Sequence, residues 1–92
     1  MSEVTDNAEK SRYEITVDGK TAFTTYRLAD GVITFVHTEV PAEFRGKGIG
    51  SKLVRGELDA ARARGLKVNA RCEFVANYIE THPEYHDLRA PQ

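Results

Sequence analysis

Arg45-Gly46-Lys47-Gly48-Ile49-Gly50 opens directly into the stretch from Ser51 to Arg64, where Ile49, Leu53, Val54, Leu58 and Ala61 recur at helical spacing. Lys52, Arg55, Asp59 and Arg62 lie largely off that face. Three glycines at alternate positions leave the backbone bare, so its N–H groups can close on an anion where a helix presents its own unpaired N–H groups and positive dipole end. A flexible turn with glycine caps is the other reading of these six residues, and they do not decide between the two. Gly65 is placed to end the helix in a left-handed cap.

Working outward from this loop, Val32 to Val40 reads as a strand that ends at Pro41, which cannot donate to a ladder. Leu66, Val68, Ala70 and Cys72 alternate with Lys67, Asn69 and Arg71 to make another strand. A strand, a crossover helix and a strand form a right-handed unit with parallel strands, and its ligand crevice opens at their C-terminal ends. The loop, Glu39, Val40 and Cys72 converge there, which favours phosphate binding. By the period of two, Ile33, Phe35, His37 and Glu39 share one side of the strand. Val32, Thr34, Val36, Thr38 and Val40 share the other, unless a bulge shifts the register.

Further upstream, Tyr13, Ile15 and Val17 alternate with polar residues, Asp18-Gly19 signals a tight turn, and Thr21 to Leu28 returns to a second pair, Asp30-Gly31. The result is a three-stranded antiparallel meander. Downstream, Phe74 to His82 reads as a short helix with Phe74, Val75, Tyr78 and Ile79 on its apolar side and Pro83 just past its end. The fold class is therefore α+β, a mixed sheet in which the meander is followed by a β-α-β unit and a C-terminal helix. Residues 1–11 are polar, acidic and without periodicity, and are expected to be a flexible tail. Residues 12–92 form the single domain.

Bulk properties narrow the function. In 92 residues, 13 Lys and Arg balance 14 Asp and Glu, so no global field draws the chain to nucleic acid or an anionic membrane. Arg45, Lys47, Lys52 and Arg55 make a basic stripe, but no aromatic stacking platform accompanies it. No apolar run reaches the ~20 residues that span a bilayer. The single cysteine, Cys72, points to a reducing, cytoplasmic setting and to no metal site. The loop is not a mononucleotide P-loop, because no Gly-Lys-Ser/Thr tripeptide occurs, and its Gly46-x-Gly48-x-Gly50 spacing does not fit a dinucleotide fold.

Arg45-x-x-Gly48-x-Gly50, following a strand and opening a helix, resembles the acetyl-CoA pyrophosphate loop of the GNAT superfamily of acyl-CoA-dependent N-acyltransferases. Three blocks resemble its compact single-domain branch: His37-Thr38-Glu39-Val40-Pro41; Phe44 to Gly50; and Cys72-x-Phe74-Val75 with His82-Pro83-Glu84-Tyr85. The likeness runs from Tyr13 to Leu88. It implies an acetyl-CoA-dependent N-acetyltransferase acting on an amine of a small molecule or a protein. It also implies pantetheine pairing with Thr38 to Val40 like an added strand, and the pyrophosphate on N–H groups from Arg45 through Gly46, Lys47, Gly48, Ile49 and Gly50 to Ser51. Arg45 and Lys47 would supply positive charge. The elements that build the acceptor site in larger members have no room here. A CoA-binding module without turnover is the alternative, and oligomeric state stays open.

Acyl transfer from a thioester needs a neutral amine, an oxyanion donor and a proton for the departing thiolate. A backbone N–H near Val40 suits the oxyanion. Glu39 or His37, directly or through water, is the candidate base. Tyr78 resembles the superfamily's general acid. Cys72 offers a covalent route if a neighbour such as His37 activates its thiol. Direct attack in a ternary complex is the preferred mechanism.

Overall fold

Both Asp-Gly pairs form the turns that their sequence predicts. Asp18 and Gly19 have φ of +51° and +77°, Asp30 and Gly31 +53° and +77°, the two-residue geometry that matches the twist of a hairpin. They join β2 (Arg12–Val17), β3 (Lys20–Ala29) and β4 (Val32–Glu39) into an antiparallel meander. The computed structural model describes residues 3–91 of the chain. Helix α1 (Ile49–Ala63) then crosses over to β5 (Lys67–Ala70), which pairs parallel with β4 from Val32↔Lys67 to Phe35↔Ala70. Helix α2 (Glu73–Thr81) and a 3-10 turn at Pro83–Leu88 complete the chain.

The core lies on one face of the sheet. Tyr13 and Ile15 of β2, Ala22 of β3, and Ile33 and Phe35 of β4 pack against Leu53, Val54, Leu58 and Ala61 of α1 and Val75 and Ile79 of α2. The alternating residues on the other face, such as Thr16, Arg27 and Val36, are exposed, as expected of an antiparallel sheet covered on one side. Among the described residues no helix is long and apolar enough to cross a membrane.

Three features depart from the sequence reading. First, Thr5–Asn7, expected within a flexible tail, forms edge strand β1, so the sheet has five strands in the order β1-β2-β3-β4-β5. Its polar residues carry no strand pattern, because what holds them is tertiary. The Tyr26 hydroxyl donates to Asp6 at 2.7 Å, the Asn7 amide donates to Glu14 at 3.2 Å, and Val4 fills the place where a side chain at Gly56 of α1 would stand. Residues 1, 2 and 92 of the expected tail and domain lie outside the described residues.

Second, β4 bulges. Thr25 faces His37 but Tyr26 faces Phe35, so Val36 has no partner and the side chains beyond it change faces. Thr38 and Val40 turn toward the core, while His37 and Glu39 turn to the open face, away from the side of Ile33 and Phe35 on which a regular strand would put them. The reason is burial: an unbroken strand would drive two ionisable groups under the helices, whereas Thr38 finds a partner there in Thr24 at 2.9 Å.

Third, β5 ends at Ala70 rather than reaching Cys72. The N–H groups of Arg71 and Cys72 both donate to the Phe35 carbonyl, each at 3.0 Å, and the chain turns away into α2.

Candidate active site

The early end of β5 creates the site. β4 runs on to Glu39, paired with β3, while its pairing with β5 stops at Phe35, so the backbone from His37 to Val40 borders an open gap on the β5 side. Such an edge offers unpaired N–H and C=O groups to an extended ligand.

At the mouth of this gap lies the glycine loop. Buried Phe44 anchors its near side, and Gly48, at φ +71°, caps α1 in the left-handed conformation. The first bond of the helix runs from the Lys52 N–H to the Gly48 carbonyl at 3.0 Å, which leaves the N–H groups of Ile49, Gly50 and Ser51 without intrahelical partners. The first turn holds no acidic residue. Arg45 and Lys47 are exposed and enter no salt bridge among the described residues. Two of the expected amide donors are engaged in turns, however: Arg45 N–H with Ala42 and Lys47 N–H with Phe44. The N–H groups at the start of the helix are not engaged in this way.

A groove of about 300 Å³ runs along this loop, walled by Val40, Phe44, Arg45, Gly48, Gly50 and Phe74. Phe74 is a wall residue that the sequence reading assigned to the apolar side of α2. It is 43% exposed, and a Cβ on Gly50 would lie 2.7 Å from its Cζ, so the ring rests on bare helix backbone.

Behind the gap, the Cys72 thiol, 8% exposed, donates to Thr38 Oγ1 at 3.2 Å. Thr38 in turn meets Thr24. Below them lies Glu57 of α1, fully buried, with neither carboxyl oxygen hydrogen-bonded among the described residues. Burial pushes this carboxyl well above the usual carboxylate range, the nearby Cys72 adds to the shift, and Thr24 opposes it. Sequence alone could have flagged Glu57, because it interrupts the sequence Leu53, Val54, Leu58, Ala61 on the buried stripe.

The other expected catalytic residues lie apart from Cys72. His37 Nε2 and Glu39 Oε2 are 3.2 Å from each other on the open face, both well exposed. On the same face a hollow of about 440 Å³ is lined by Arg27, Thr34, Val36, Asn69 and Arg71. The bulge therefore separates His37 from the thiol it was expected to activate. Tyr78 sits in the seam between α2 and α1, its ring stacked on His82 at 3.8 Å and tilted against Tyr85 at 6.0 Å. Burial raises its phenol pKa, with Arg55 opposing and Glu84 and Asp59 adding. Among the described residues, no hydrogen bond joins Tyr78 to His37, Glu39 or Cys72.

This geometry can be set beside known proteins. The family model described as GCN5-related N-acetyl-transferase matches residues 12–88. The chain belongs to that family. The GCN5-related architecture is also that of a solved relative. The solution structure of a GCN5-like protein from Staphylococcus aureus superposes with a TM-score of 0.75 at 30% identity, covering 98% of this chain and 89% of that one. Among curated relatives, Protein NATD1 of Gallus gallus is 33% identical over 52 residues, 56% of this chain and 47% of that protein. Protein NATD1 of Xenopus tropicalis is 36% identical over 47 residues, 51% of this chain and 43% of that one. The chain thus matches less than half the length of these curated relatives.

Proposed function

We propose that the protein is an acetyl-CoA-dependent N-acetyltransferase that transfers the acetyl group to an amine by direct attack in a ternary complex. The observation that carries this reading is the parting of β4 and β5 immediately above an acid-free, glycine-capped helix start. Pantetheine lies along Thr38 to Val40 in the gap, and the pyrophosphate is held at the N–H groups of Ile49, Gly50 and Ser51 with Arg45, Gly46, Lys47 and Gly48 around it. A backbone N–H near Val40 supports the oxyanion. The acceptor comes from the open face, where the His37–Glu39 pair takes the amine proton. Two features favour direct attack over an acyl-Cys72 intermediate. The thiol is nearly buried, and its hydrogen bond goes to a neutral hydroxyl. The chain acts in the cytoplasm in this reading.

The test is release of free CoA thiol from acetyl-CoA in the presence of a panel of small amines, polyamines and peptides. Turnover that falls at least tenfold in Glu39→Gln supports the reading. Tight binding of acetyl-CoA with no turnover on any amine overturns it in favour of a CoA-binding module, a second reading favoured by the seam position of Tyr78.

A further inference from the structure

We propose that Glu57 is a buried proton carrier of the transfer site, acting through Thr24 and Thr38 on the sulfur that leaves the thioester; this role rests on the acetyltransferase reading above. The geometry is unusual for a structural residue. Glu57 has no exposed surface and its two carboxyl oxygens have no hydrogen-bond partner among the described residues. A partnerless carboxyl in the core of so small a domain is costly, and a Leu or Met would fill the place without that cost. The groups that act on it are Thr24 from β3 and Cys72 from the start of α2, with no charged side chain among them.

From Thr24 a row of exchangeable hydrogens leads outward. The Thr24 and Thr38 hydroxyls are 2.9 Å apart, and Thr38 Oγ1 is 3.2 Å from Cys72 Sγ. The row ends where β4 and β5 part, beside the strand edge along which the thioester would lie. The link between Glu57 and Thr24 is the one not made at rest, although Thr24 lies close enough to act on the carboxyl; rotation of the Thr24 hydroxyl, which can donate and accept at once, would complete it. Burial raises the carboxyl's pKa and so favours the neutral form, the form that can act as an acid.

The amine nitrogen attacks the thioester carbon, the C–S bond breaks, and its electron pair leaves on sulfur. Thr38 gives its hydroxyl proton to that sulfur and takes one from Thr24, which takes the proton of Glu57. Products are the amide, a neutral thiol and a Glu57 carboxylate, while the attacking nitrogen loses its proton to the His37–Glu39 pair on the open face. Glu57 regains a proton from water through the same hydroxyls when the thiol departs.

Two variants and one spectroscopic measurement test the role. Glu57→Gln keeps the shape of the side chain and removes the proton; Thr38→Val cuts the row two links away and leaves Glu57 untouched. In the ligand-free wild type, the Glu57 carboxyl 13C resonance should show a protonated group through neutral pH. Each variant, folded by its amide NMR spectrum, should lower kcat roughly a hundredfold. The double variant should be no slower than the single ones; wild-type kcat should fall at alkaline pH as Glu57 loses its proton, and that fall should vanish in Glu57→Gln. A Glu57 resonance that titrates in the ordinary carboxylate range overturns the proposal, as does wild-type turnover matched by both variants. A wild type that releases no thiol with any amine overturns the acetyltransferase reading itself, and this role with it.

Discussion

The Cys72 thiol donates to Thr38 Oγ1 at 3.2 Å, tying the turn that follows β5 to the end of β4 across 34 residues of sequence. A thiol held in this way closes the back of the gap. Cys72→Ala should therefore retain turnover within about threefold and lose ~1 kcal/mol of stability, the value of one net hydrogen bond. Mass spectrometry of wild-type protein incubated with acetyl-CoA should find no acetylated Cys72; an acetyl group on that residue that passes to amine would restore the covalent route.

Glu57 makes a prediction about stability that is independent of catalysis. Burial raises its folded-state pKa well above the usual carboxylate range, so the folded chain holds this proton more firmly than the unfolded chain does. The corresponding stability is full below the unfolded pKa and is lost as pH rises toward the folded one. Glu57→Met should accordingly raise the unfolding free energy at neutral pH by ~1–3 kcal/mol, the cost of a buried unpaired polar group. Urea unfolding at several pH values should show that gain growing as pH rises above the unfolded value. A gain that grows toward acid pH would have the wrong sign.

Gly48 and Gly50 should respond differently to alanine. Gly48 has open space around it but a φ of +71°, so Gly48→Ala should cost about 1–2 kcal/mol through the backbone alone. Gly50 is helical, and its new Cβ would meet the Phe74 Cζ at 2.7 Å and Val40 at 3.4 Å. The exposed Phe74 ring can move, and alanine gains about 1 kcal/mol in helix propensity, so stability should change little. The displaced ring should narrow the groove and weaken acetyl-CoA binding roughly tenfold by calorimetry, about 1.4 kcal/mol. Adding Phe74→Ala should recover binding.

The edge strand has its own reporter. Tyr26 is pushed up to about 12 by burial first and by its hydrogen bond to Asp6 second. In Asp6→Asn the tyrosinate absorbance of Tyr26 should appear at lower pH, yet still above the ordinary phenol value, because the burial remains. Removing residues 1–10 should lower the melting temperature, since it uncovers Gly56 and the rim of Tyr26. An unchanged melting temperature would mean that β1 contributes nothing to stability.

These particulars divide according to the range of the forces behind them. The Asp-Gly turns, the alternation of Tyr13, Ile15 and Val17, and the helical stripe of α1 were legible because each depends on neighbours within a few residues. So was the left-handed end of the helix at Gly65, at φ +70°. The order of meander, crossover helix and parallel strand followed from them by chain geometry, and placed the glycine loop at the ends of parallel strands. β1 was not legible. Its Thr-Asp-Asn segment is polar throughout, and its place depends on Tyr26 and Gly56, which lie far along the chain.

By itself, then, the sequence determined the meander, the β-α-β connection and the glycine loop that opens α1, all of which follow from local periodicity and from backbone freedom at glycine. Tertiary structure decided which side chains face the gap. One unpaired residue, Val36, reverses every side chain after it, moving His37 and Glu39 to the open face and Thr38 to the core. Burial then converted Glu57, one polar residue on an apolar stripe, into an unpartnered acid beneath Cys72. A period of two cannot foresee a bulge whose cause is the cost of burying charge across a sheet, and a helical pattern cannot say what lies over a carboxyl.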